Sequence, residues 1–244
     1  RFEEAADVRE RAAALSLANA AYGYFILPES LPPERRRPFQ WRRANPVGSL
    51  ALLRRHPELS GLAGVVFLSN LAHVALPATF VLYAAYRYGW QERDVGLVMA
   101  GVGICSALVQ GALVGPTVRR FGERRALLVG LACGAVGFLG YGLAPTGLLF
   151  LAAVPVVALW GLASPAAQGI MSRHIGPTEQ GALQGATGSL MGIATMIGPG
   201  LFAGIFAYSI GAGTHWHAPG AAFVLASLLL AAGALLAART TART

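Results

Sequence analysis

Asn70, His73, Gln110 and Gln168 each lie inside a stretch that contains no Asp, Glu, Lys or Arg. Amides both donate and accept hydrogen bonds, so they can hold a polar ligand without supplying charge. His73 is the one group in these stretches that titrates near neutral pH. Asn70 and His73 are three residues apart and share a face if the segment is helical. Polar groups are costly in hydrocarbon and face a cavity or a partner. Two readings are therefore open: the four residues line a substrate path, or they tie helices together without a ligand.

Other chemistry finds little support. The sequence holds no nucleophile–base pair, phosphate loop or GxGxxG fingerprint, so neither an enzyme nor a cofactor is expected. "HWH" at 215–217 offers two histidines, but a zinc site wants three or four ligands, and an interfacial aromatic anchor is the expected role. Cys105 and Cys133 fall within apolar runs and read as small packing residues.

The elements that must position these residues are dictated by composition. Of 244 residues, 55% are hydrophobic and only 12% charged, about half the charged share of a soluble domain. Ala126 to Ser172 and Gln180 to Ala238 are each free of charge. Each run is long enough for two helical passes at about 20 residues per pass. Strand alternation is absent, so the expected class is an all-α integral membrane protein. It has six full transmembrane helices, 59–86, 95–118, 126–144, 148–171, 182–210 and 218–238, after a short first one at 12–27. Residues 1–11 carry seven charges and read as a stretch foreign to a membrane helix. Residues 28–58 form the longest loop, and 239–244 a tail. Within that loop "ANPVGSLALLRRH" suits either a short helix on the membrane surface or a solvated linker.

All 19 basic residues are arginine and the net charge is +8. Their placement sets orientation. The loop 28–58, the turns near 119–125 and 173, and the tail hold fourteen arginines; the opposite turns hold two, Arg87 and Arg93. Positive residues stay on the cytoplasmic side, so these turns and the C-terminus are expected there, with the bilayer as partner. Because topology accounts for the basicity, no nucleic acid partner is expected.

Small residues four apart mark helix packing. In 182–210, Gly185, Gly188, Gly192, Gly200 and Gly204 suggest such contacts, serving either static packing or a sliding surface. Pro77, Pro155, Pro165 and Pro199 can kink the spans that contain them.

"GPTVRRFGERRALL" at 115–128 resembles the interior loop motif of the major facilitator superfamily in its degraded second copy. "LPES" at 27–30, "YRYGW" at 86–90 and "QGALQGATGSLMGIATMIGPGLF" at 180–202 are similar to the carboxyl half of tetracycline-resistance (TetA-type) drug/proton antiporters. The resemblance implies the end of helix 6 and helices 7 to 12 of a twelve-helix carrier in a bacterial inner membrane. Partners would be the amino-terminal half or a second copy, a small amphipathic substrate and protons. It implies that Gly122, Glu123, Arg124 and Arg125 belong to a cytoplasmic latch, although Val118 stands where the motif has an acid. Gln110 matches a glutamine of the tetracycline carriers. Ser106 and Gly134 stand where those carriers have a histidine and an aspartate, so proton-carrying carboxylates would come from the other half. The alternative expectation is a membrane fragment acting only through helix association.

Overall fold

Pro57 in the first turn and a left-handed Gly89 (φ 67°) delimit the first long apolar helix, as proline tolerates a missing intrahelical N–H and glycine tolerates positive φ. The protein is described by a computed structural model covering residues 2–26, 52–53, 56–211 and 217–242. Much of 28–58, and the first two residues of "HWH", therefore lie outside the described residues.

Two compact units are present, residues 1–39 and 40–244. The first contains helix α1, Phe2–Phe25. The sequence places its start at Ala12; the helix instead runs through the charged stretch, where Glu, Arg and Ala are good helix formers.

The second unit is a bundle. Helix α2 is Pro57–Tyr88. Helix α3, Glu92–Leu108, opens on a capping box in which the Gln91 backbone N–H donates to Asp94 Oδ2 at 3.0 Å. One π-helical turn, Val109–Leu113, joins it to α4, Val114–Leu143. Next come α5 at Gly147–Ala158, a 3₁₀ turn at Leu159–Leu162 and α6 at Ala163–Arg173. Helices α7, Gln180–Ile210, and α8, Ala221–Thr240, complete the unit.

Five helical stretches among the described residues are long and apolar enough to cross a membrane. One, Glu92–Leu143, has 52 residues and would reach ~78 Å if straight. Yet the Tyr88 hydroxyl, just before it, donates to the Ala144 carbonyl, just after it, at 2.9 Å. The stretch must double back, and it does so at Gly122, whose φ of 78° and ψ of 162° break the helix. A conformation essentially confined to glycine thus makes the arginine-rich turn. Glu92–Leu143 contains two passes, and the described residues of the unit make six.

Helix α4 is the hub, packed against α8 on one side and against α5 and α6 on the other, while α2 packs on α7 and α8. Its glycines explain the closeness. A Cβ on Gly130 would lie 2.8 Å from the Ala163 backbone nitrogen, and one on Gly137 2.9 Å from that of Val157. Together with Gly134 they repeat at helical spacing and let α5 and α6 lie directly on the α4 backbone. Phe138, Tyr141, Phe150 and Phe223 fill the core nearby; the Tyr141 and Phe150 rings stack with centroids 4.1 Å apart.

Among the described residues, the glycines of α7 singled out in the sequence meet no packing partner. Cβ atoms built on Gly188, Gly192, Gly200 and Gly204 meet nothing within 4 Å, and Gly185 is exposed. The face of α7 that packs on α2 is instead the one carrying Gly198, where a Cβ would lie 2.7 Å from Val74 Cγ1. Four-residue spacing identifies small faces, but only the bundle decides which is covered.

Candidate functional site

The bundle lines a partly open cavity of about 390 Å³, within the range of small-molecule sites. Asn70 and His73 reach it from α2, Gln110 from the π turn, Trp160 from the 3₁₀ turn, and Ser106 and Tyr141 from α3 and α4. Three of the four polar residues singled out in the sequence are thus brought together. Gln168 is not among the lining residues; its side-chain oxygen instead accepts a long 3.5 Å hydrogen bond from Gln184 Nε2.

Helical irregularity serves the cavity. The π turn and the 3₁₀ turn face each other, with Val109 packed on Ala158 and Leu162. Gly161 faces Gln110, since a Cβ there would lie 3.8 Å from Gln110 Cγ. Pro155 and Pro165 flank the 3₁₀ turn and remove two backbone donors, which breaks the α-helical ladder there. Asn70 Nδ2 donates to the Val66 carbonyl at 2.8 Å, leaving its oxygen and second N–H available. Among the described residues, no side chain that lines the cavity is Asp, Glu, Lys or Arg.

Sequence reasoning missed Trp160 and Ser69. The Trp160 indole N–H donates to Ser69 Oγ at 3.0 Å, and the His73 ring lies 5.5 Å from the indole centroid. Both residues left a signal. Ser69 lies one turn before His73, and a lone indole N–H at depth must find an acceptor.

A second cluster lies at the arginine-rich end. Glu123 pairs with Arg173, and the Arg124 Nε–H donates to Thr241 Oγ1 at 3.0 Å. The Glu123 carboxylate rests on Gly169, where a Cβ would displace it. His56 sits between two acids, Nδ1 3.0 Å from Glu58 and Nε2 3.1 Å from Glu179. The hydrogen bond His56 donates to Glu58, assisted by Glu179, raises the His56 pKa above its ordinary value. These pairs join α2, α4, α6, α8 and the turn before α7 at one end of the bundle.

Among the described residues, apolar helices thus make six passes around a polar cavity. The sequence model of the Major Facilitator Superfamily matches residues 12–199, so the chain belongs to that superfamily. It is 33% identical over 198 residues to "Tetracycline resistance protein, class C" of Escherichia coli, covering 81% of this chain and 50% of that protein. Class G from Vibrio anguillarum is 33% identical over 70% of this chain and 44% of its own length. "Hippocampus abundant transcript-like protein 1" of Homo sapiens is 28% identical over 80% of this chain and 40% of that protein. The chain thus spans about half the length of the curated relatives it matches. Among solved structures, the human organic anion transporter MFSD10 (TETRAN) superposes with a TM-score of 0.74 at 23% identity. It covers 91% of this chain and 54% of that one, and shows the shared fold.

Proposed function

We propose that this chain is the carboxyl half of a proton-coupled efflux carrier for amphipathic small molecules. The observation that carries this reading is the cavity in which Asn70, His73 and Gln110 converge within a mainly apolar bundle. The substrate would lie between this half and another and be exposed to each side in turn as the halves rock. With no carboxylate among the described residues that line the cavity, the coupling protons would travel on acids of the other half. The Glu123–Arg173 pair and the Arg124–Thr241 bond would form the latch, with Gly122 making its turn. Arg125 would add charge there, and the arginine-rich end would face the cytoplasm of a bacterium.

Export of a fluorescent amphipathic drug tests this in cells expressing the complete gene. His73→Ala should slow export by roughly tenfold, the effect of about 1.4 kcal/mol. Gln168→Ala should change it less than twofold. Equal, unimpaired export by both variants would refute the site.

A second reading rests on the open face of α7. Gly188, Gly192, Gly200 and Gly204 present backbone without a neighbour among the described residues, which suits association with another helix. On this reading the protein acts through pairing and transports nothing. A detergent-corrected mass of two chains, with no export, would favour it.

A further inference from the structure

Trp160 is fixed from three sides. Its N–H is held by Ser69 on α2 at 3.0 Å. The ring body occupies the space above Gly134 on α4, where a Cβ would lie 2.9 Å from Trp160 Cγ and 3.0 Å from Leu230 Cδ1. The edge of Phe138 completes the seat, with centroids 5.7 Å apart and planes at 80°. Because the N–H is already spent on Ser69, the indole can meet a ligand only through its ring. His73 stands beside it at 5.5 Å, exposed and without a hydrogen bond among the described residues. Gln110 is likewise exposed, and Asn70 keeps an acceptor and one donor.

Taking the carrier reading as given, we propose that this half of the cavity selects an uncharged planar aromatic group, packed on Trp160 beside His73. Its polar edge is bonded by Asn70 and Gln110, and Ser69 acts as the positioning residue for the indole. A cation or anion entering here gives up its water and meets no counter-charge among the described lining residues, whereas a neutral ring with one amide or hydroxyl is matched group for group. The indole would attract a cation weakly, so charge is the variable to test. The space over Gly134 is also closed to any side chain, so an acid placed at 134 cannot coexist with the indole in this seat.

The test uses the purified chain in lipid nanodiscs and three tritiated probes on one ring: 2-naphthamide, 2-naphthylmethylammonium and 2-naphthoate. Scintillation-proximity binding should show the amide at least roughly tenfold tighter than either charged probe, and Trp160→Ala should remove that advantage. Trp160→Phe, which keeps a ring and guards against misfolding, should retain part of it. Ser69→Ala should weaken the amide by about threefold and Ser69→Thr, which keeps the hydroxyl, should restore it. Equal binding of the cation, or an unaltered preference in both Trp160 variants, would overturn the proposal. Amide-selective binding with no export in cells would sink the carrier reading alone; export without that selectivity would sink only the cavity chemistry.

Discussion

At the scale of single residues, His56 shows how a contact sets a response to pH. Both ring nitrogens lie near carboxylate oxygens, 3.0 Å from Glu58 and 3.1 Å from Glu179. Carboxylates only accept, so both bonds need the doubly protonated imidazolium. The folded pKa is raised above its unfolded value, led by the Glu58 hydrogen bond. The linkage therefore runs one way: the stabilisation is complete below the unfolded value, near pH 6.5, and is lost as pH climbs through the raised folded value. Melting temperatures measured from pH 5.5 to 8.5 should fall across that window in the wild type relative to His56→Gln. Parallel curves would refute the bridge. Little of this was legible in the sequence, because Glu179 is far away in the chain and only the turn before α7 brings it to His56.

At the scale of elements, glycine acts through what lies opposite. Gly137→Val should lower stability by about 1–3 kcal/mol, because its side chain runs into the α5 backbone at Val157. Gly192→Val, on the open face of α7, should change it by less than about 0.5 kcal/mol in the isolated monomer. Thermal unfolding of the detergent-solubilised chain measures both, and an equal loss in the two variants would contradict the packing described. Both helices show small residues four apart, so the sequence marks them equally. Gly130, Gly134 and Gly137 of α4 are covered, since this part of the helix lies against α8 and the α5–α6 pair and leaves no room for side chains. Likewise, prolines at 155 and 165 pointed to a disturbed helix, but not to a 3₁₀ turn meeting a π turn across the cavity.

At the scale of the whole molecule, the bundle has one end rich in tyrosine and tryptophan and one rich in arginine. Tyr83 and Tyr88 bond the carbonyls of Tyr141 and Ala144 at the first, and the Glu123–Arg173 pair marks the second. Phe121, 50% exposed in the Gly122 turn, reports which end faces the cytoplasm. With both native cysteines replaced, Phe121→Cys should resist a membrane-impermeant maleimide in intact cells and react after permeabilisation; labelling from outside would invert the orientation. The sequence by itself determined the class, the helical passes and the superfamily, because long uncharged runs have only one stable solution in a bilayer and the turn motif is local. Tertiary structure alone decided that Gln168 leaves the cavity while Trp160 enters it, which glycines are buried, and which acid each arginine or histidine meets. Those outcomes depend on which helices become neighbours and on their rotation, and residues far apart in the chain meet only when six helices pack at once.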